Sequence, residues 1–196
     1  LIEGDQEKFS KLKQAYKPRD KLSLVNKYVT NDGTNSLDHI LISAEAPLKF
    51  DLLLIDIDGM DYFIWESLVR FIPSVVLIEF NPTVPNDVIF VQAKKSNINH
   101  GCSLLALIGL ASRKGYKLLY CTSGNAIFVK SEFFDEFGSI KNDINSIYTP
   151  KTSGRIWQGY DSYLYTAGMN KLVWDGDCKF DNIDLQVQPR FKHSKN

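Results

Sequence analysis

The stretch Phe50-Asp51-Leu52-Leu53-Leu54-Ile55-Asp56-Ile57-Asp58-Gly59-Met60-Asp61 decides how the chain is read. From Phe50 to Ile57 only Asp51 and Asp56 interrupt the apolar run. That pattern predicts a strand covered on both faces in a parallel sheet, and therefore a central one. Beyond Gly59, Tyr62, Trp65, Leu68 and Val69 recur at helical spacing until Pro73 stops the element. Val75 to Phe80 then reads as a second buried strand, ended by Asn81-Pro82. Strand, helix and strand in this order make a parallel crossover unit.

The alternation extends both ways. Leu1-Ile2-Glu3-Gly4-Asp5 reads as a strand running into a helix on which Phe9, Leu12 and Tyr16 share a face and Lys8, Lys11 and Lys13 lie largely off it. Leu22 to Thr30 has β-type content and meets the turn Asn31-Asp32-Gly33, after which Ser36 to Ala46 is helical. Residues 82 to 102 form an irregular connection. A Leu-rich helix follows from Ser103, a capping residue, to Lys114, with Gly115 to end it. Tyr116 to Cys121 and Asn125 to Lys130, separated only by Thr122-Ser123-Gly124, predict an antiparallel hairpin. The expected fold is α/β: an open, Rossmann-like, mostly parallel sheet with helices on both faces and an antiparallel edge hairpin. Residues 1–138 make the main domain. Residues 139–196, with Trp157, Tyr160, Tyr163, Tyr165 and Trp174 among polar neighbours, make a C-terminal extension that either packs on the domain surface or serves as a substrate lid.

Composition narrows the function. A chain of 196 residues with 44% apolar content builds one sizeable core. Basic and acidic residues balance at 23 each, which gives no support to a nucleic-acid or membrane-surface partner and favours a small-molecule acceptor. Cys102, Cys121 and Cys178 are odd in number and widely spaced, against a disulfide framework or structural zinc, and predict a reducing, cytoplasmic setting. No stretch approaches the roughly 20 apolar residues of a membrane helix. The chain opens at Leu1 inside a strand, without Met or signal-peptide features, which predicts further sequence upstream. Neither composition nor pattern specifies an oligomeric state.

In open α/β sheets ligands sit beyond the carboxyl ends of the strands. The polar residues there are Glu3 and Asp5, Asn31 and Asp32, then Asp56, Asp58 and Asp61, then Glu79 and Asn81. Carboxylates so placed accept hydrogen bonds from ribose hydroxyls, hold a divalent cation, or take a proton from a substrate hydroxyl. Each also has a structural reading: Asp5 and Asp61 as helix caps, Asn81 as a turn residue. For Asp56 the functional reading is stronger, since an aspartate ending a buried strand needs a compensating partner. His100 lies in a polar loop near these ends and ranks below the carboxylates; His39 and His193 carry less weight still.

Three segments carry a resemblance: FDLLLIDIDGMDYFIWESL, SVVLIEFNPTVP and GCSLLALIGLASRKGYKLLYCTSGNAIFVK. Residues 1 to about 135 resemble the FkbM-type branch of the class I S-adenosylmethionine-dependent methyltransferases. The resemblance implies O-methylation of a hydroxyl on a sugar or secondary metabolite. It implies Glu3 on the cofactor ribose, Asn31 and Asp32 near the adenine, and Asp56 facing the methyl group and substrate, with Asp58 as its catalytic companion and Asp61 behind. Glu79, Asn81 and His100 fall close to substrate or metal. Comparison with catechol O-methyltransferase-like enzymes implies a magnesium ion held by Asp56, Asp58 and Asn81. The family's first strand and glycine-rich turn are expected before Leu1, and no such loop occurs in the chain. In the expected order that strand sits between the second and the fourth, so its absence predicts a slot in the sheet.

Two other readings compete. IDIDG also resembles the DxDG motif of haloacid dehalogenase-like phosphatases, which implies Asp56 as nucleophile, Asp58 as acid/base, Thr122 or Ser123 on phosphate, and Gly176 to Asp181 on magnesium. The other rival is a non-catalytic domain of the same fold.

Overall fold

The βα alternation holds from Ile2 to Lys114. The computed structural model describes residues 1–16, 22–94, 99–149, 155–158, 160 and 164–167. Strand β1 (Ile2–Glu3) leads into helix α1 (Gln6–Ala15), and β2 (Val25–Asn26) precedes a 3-10 turn (Gly33–Asn35) and α2 (Leu37–Ser43). Next come β3 (Lys49–Ile55), α3 (Asp61–Ser67), β4 (Ile72–Glu79) and α4 (Leu104–Lys114). The hairpin β5 (Tyr116–Cys121) and β6 (Asn125–Lys130) follows, then a 3-10 segment (Ser131–Phe137) and α5 (Ile144–Ile147). A short antiparallel pair, β7 (Arg155–Gln158) and β8 (Leu164–Ala167), lies in the C-terminal extension. Trp174, Cys178, His193 and the Gly176 to Asp181 motif lie outside the described residues.

Local chemistry sets the helix ends. Asp5 caps α1 by accepting the Lys8 amide at 2.8 Å, the structural role anticipated for it. Ser103 caps α4 through the Ala106 amide at 3.2 Å, and Gly115 ends that helix in the left-handed region at φ 81°.

The main sheet has four strands in the order β3-β4-β6-β5. Strand β4 runs parallel to β3 and antiparallel to β6, and β6 is antiparallel to β5. Three of the four strands therefore point one way, and the hairpin supplies the single reversed strand. It docks through β6, so that β5 is the edge. The core fills the space between this sheet and its helices: Trp65 of α3 packs against Tyr116 of β5 and Phe128 of β6 at ring separations of 5.7 and 5.1 Å. Losing such a buried ring costs about 3–5 kcal/mol. The packed core includes Tyr148, whose ring meets Phe80 edge-on at 5.0 Å.

Two expectations need correction. Leu22 to Thr30 is not one long strand; Val25–Asn26 pairs with β1 in a separate two-stranded parallel sheet, and Thr30 makes only an isolated bridge to Ser36. Nor is β3 central or covered on both faces. Among the described residues it is the other edge of the four-stranded sheet, paired with β4 alone. Leu53 and Ile55 are 9% and 3% exposed, whereas Leu52 and Leu54 are 55% and 59% exposed. An apolar run reports that a strand suits burial on both sides, and the neighbours that would bury it are a separate matter.

Candidate functional site

The chain leaves β3 through a strained turn. Asp58 takes φ 56° and Gly59 φ 124°, a sequence of left-handed conformations that turns the backbone sharply before α3 begins at Asp61. Asp61 holds this turn from inside. Its carboxylate, 2% exposed, accepts the Ile57 amide at 3.1 Å and the Gly59 amide at 2.9 Å. Burial pushes its pKa above the usual carboxylate range; amide hydrogen bonds from Gly59, Asp61 and Ile57 oppose that shift, and the nearby Asp56 charge adds to it. Asp61 is thus a brace for the turn rather than a simple helix cap.

A second clasp comes from the connection after β4. Buried Gln92 accepts the His100 and Gly101 amides, both at 2.7 Å, through Oε1, and its Nε2 reaches Met60 Sδ at 3.8 Å. A Cβ on Gly59 would come within 3.0 Å of that same Gln92 Oε1, so the turn and the connection fit only with glycine there.

With the turn fixed, Asp56 and Asp58 project to the surface and meet Glu79 from the end of β4. One carboxylate oxygen from each of the three lies within 4.8 Å of the others. Three negative charges this close favour a cationic partner, whether a metal ion or a charged organic centre. Hard oxygen ligands in this number suit magnesium or calcium, and such a cation would lower the pKa of a bound hydroxyl. Glu79 is thereby placed with the two aspartates.

Asn81 takes no part in this triad. Its Nδ2 donates to the His100 carbonyl at 2.8 Å and its Oδ1 accepts from the Thr83 amide at 2.9 Å and from the Thr83 hydroxyl. These bonds, together with its burial, give it the turn role that the sequence also allowed for it. His100 is likewise engaged through its backbone, and its ring meets Phe90 edge-on at 6.4 Å. His39 hydrogen-bonds Ser36 at the start of α2 at 2.8 Å.

Two members of the triad, Asp56 and Asp58, line a cavity of about 380 Å³. Glu3, Gly4 and Asp5 from the end of β1 line it, facing Asp56, Ile57 and Asp58 from the end of β3. The two strand ends named from the sequence thus converge. Glu3 is fixed at the rim because its Oε1 accepts the Asp5 amide at 2.8 Å. Lys8, Lys27 and Tyr28 complete the wall, so the cavity carries both signs of charge and one aromatic face. Tyr28 packs so closely on Gly4 that a Cβ there would lie 2.4 Å from its ring.

Asn31 and Asp32 do not line this cavity; Asp32 precedes the 3-10 turn and makes no side-chain cap. Sequence reasoning missed Lys27 and Tyr28 for a definite reason. Reading the second strand out to Thr30 put its end four residues late, whereas pairing stops at Asn26. The signal available was Gly4, a residue type suited to close approach beside an aromatic at a strand end.

Thr122 is occupied within the β5–β6 turn, accepting the Asn125 amide at 3.0 Å through its hydroxyl, and neither it nor Ser123 lines the acidic cavity. Cys102 and Cys121 are free and buried, and burial raises both thiols, Cys121 to about 12, so neither is a nucleophile at neutral pH. Among the described residues no helix is long and apolar enough to cross a membrane.

Fold and site together define an α/β domain with an open sheet that presents carboxylates from neighbouring strand ends to one cavity. No protein-family model, curated protein or solved structure matches the chain.

Proposed function

We propose that this chain is a Rossmann-like, S-adenosylmethionine-dependent methyltransferase acting on a hydroxyl of a small acceptor, of the sugar or secondary-metabolite kind. One observation carries the reading: Glu3 and the Asp56–Asp58 pair, from two separate strands, line the same cavity. The residues fit the cofactor's chemistry. A carboxylate at Glu3 suits ribose hydroxyls, the exposed Tyr28 ring suits an adenine face, and the acidic triad suits a sulfonium charge. When bound, the cofactor supplies an electrophilic methyl group. In the transfer Asp56 would orient the acceptor hydroxyl and Asp58 would accept its proton as the sulfur–methyl bond breaks, releasing a neutral thioether, and the oxygen–methyl bond forms; Asp61 and Gln92 keep both aspartates in place. In a magnesium-assisted form, Asp56, Asp58 and Glu79 would hold the ion, which would lower the pKa of the acceptor hydroxyl.

Calorimetric titration with S-adenosylmethionine tests this reading. Binding is expected, weakened about tenfold or more by Glu3→Ala through loss of a charge-assisted hydrogen bond. The acidic triad also favours a phosphatase reading, in which Asp56 attacks phosphorus with magnesium present, and the engagement of Thr122 in its own turn weighs against it. Phosphate release from a phosphomonoester, with no heat on adding S-adenosylmethionine, replaces the methyltransferase by that alternative. Cofactor binding without transfer to a broad acceptor panel assigns the non-catalytic role instead.

A further inference from the structure

The end of the main sheet opposite the acidic cavity carries the reverse charge. There β4 begins at Ile72, β5 begins at Tyr116 and β6 ends at Lys130, with Tyr116 and Lys130 paired across the strands. Another cavity, of about 280 Å³, lies between these strand ends and the loop that follows α3. Two lysines line it, Lys114 from the last turn of α4 and Lys130, and among the described residues no carboxylate does. Around the acidic cavity, by contrast, Glu3, Asp5, Asp56 and Asp58 all contribute. The apolar wall comes from Trp65 and Phe71, both buried, and from Val69 and Ile72, which are 74% and 40% exposed.

This wall is fixed by its own hydrogen bonds. Lys114 Nζ donates to the Leu68 carbonyl at 2.7 Å and the Tyr116 hydroxyl to the Pro73 carbonyl at 2.6 Å. Between those anchors the Asp38 carboxylate accepts the Val69 and Arg70 amides at 3.0 and 3.1 Å. A loop braced in this way gives a ligand a preformed surface and spares the cost of ordering one.

Both cations keep capacity for an anion. The bond to Leu68 leaves other N–H donors of the Lys114 ammonium, which makes no ion pair among the described residues. Burial lowers the Lys114 pKa, a shift that Asp38 and Glu66 oppose and Arg113 reinforces, and an anion beside it would favour its charged form. Lys130 is paired with Glu132 at 3.3 Å, but Glu132 is 61% exposed, and a pair so open to water holds its partners weakly. A capping role accounts for the bond from Lys114 to Leu68, yet it leaves unexplained why two lysines share one partly aromatic cavity. We propose that this cavity binds a small organic carboxylate, its charge met by Lys114 and Lys130 and its apolar body resting on Trp65, Phe71 and Ile72. Both features are needed, because the lysines select the charge while the apolar wall gives a strongly hydrated inorganic anion nothing to pack against.

The site lies at the other end of the sheet from the acidic cavity and is independent of the methyltransferase reading. Benzoate is the probe, titrated into the full chain at fixed pH and ionic strength while backbone amide and indole signals are followed by NMR. Saturable shifts are expected at Trp65, Val69, Ile72 and Tyr116, with Gly4 and Gly59 unmoved. Benzamide keeps the shape and loses the charge, and acetate keeps the charge and loses the ring; each is expected to bind at least about tenfold more weakly. Lys130→Gln is expected to weaken benzoate about tenfold with an unchanged melting profile, and Lys130→Arg to retain it. Benzamide or inorganic phosphate binding as tightly as benzoate overturns the proposal, as does a benzoate affinity unchanged by Lys130→Gln or equally lost in Lys130→Arg. Shifts at Gly4 and Gly59 in place of Trp65 and Val69, or no saturable shift at all, also overturn it.

Discussion

The carboxylate of Asp61 accepts the backbone amide of Gly59 at 2.9 Å, across a turn in which Gly59 sits at φ 124°. This single bond ties the first residue of α3 to the segment that displays Asp56 and Asp58. Replacing Asp61 by Ala leaves the buried Gly59 amide unsatisfied and is expected to cost about 1–3 kcal/mol in denaturant unfolding. Asp61→Asn, which sets an NH2 group against one of two amide donors, is expected to recover only part of that loss.

Asp61 also predicts a pH dependence. Its folded pKa is raised above 3.8 by burial, so its protonated form is favoured in the fold. Its contribution to stability is therefore full below about 3.8 and is lost as pH rises through the raised folded value. Relative to Asp61→Asn, which does not titrate there, the wild type is expected to lose stability over that interval. Unfolding curves of both proteins, taken at a series of pH values, check the sign.

At Gly59 an alanine meets both a positive φ and the side chains of Gln92 at 3.0 Å and Asn99 at 3.2 Å. Gly59→Ala is expected to destabilise the chain by roughly 1–3 kcal/mol. The expected accompaniment is faster exchange of the His100 and Gly101 amides, because Gln92 has to give way.

Asp58 separates stability from function. Its φ of 56° is tolerated by Asp and suits Gly, so Asp58→Gly is expected to change stability by less than about 1 kcal/mol. Asp58→Val, β-branched, is expected to cost about 1–3 kcal/mol. Both remove the carboxylate, so under the proposed methyltransferase reading, with Asp58 as general base, transfer is expected to fall at least a hundredfold in the two variants alike.

Gly4 and Tyr28 are expected to couple. Gly4→Ala places a methyl 2.4 Å from the Tyr28 ring, which is 68% exposed and free to swing outward. In a double-mutant cycle scored on cofactor affinity, Gly4→Ala is expected to weaken binding in the wild-type background and to have little effect beside Tyr28→Ala.

Much of the domain was legible from local rules. Helix α4 was bounded by Ser103 and Gly115 and the hairpin by a three-residue turn, because caps and turns act over a few residues, whereas Pro73, read as the stop of the preceding helix, lies inside β4 and the helix ends earlier, at Ser67. The site was legible at Glu3, Asp56 and Asp58, since strand ends of an open α/β sheet gather at one rim. It was less legible at Asn81, whose side chain bonds the His100 carbonyl and Thr83 within the connecting loop.

The sequence alone determined the order of strands and helices, the capping of α1 and α4, and the acidic character of the strand ends, because periodicity and residue type report a segment's own preferences. Tertiary structure alone decided three things: that β3 is an edge among the described residues, that Glu79 lies with Asp56 and Asp58, and that Tyr28 reaches the cavity. Each depends on which groups from distant parts of the chain arrive beside one another, and short-range pattern carries no record of that.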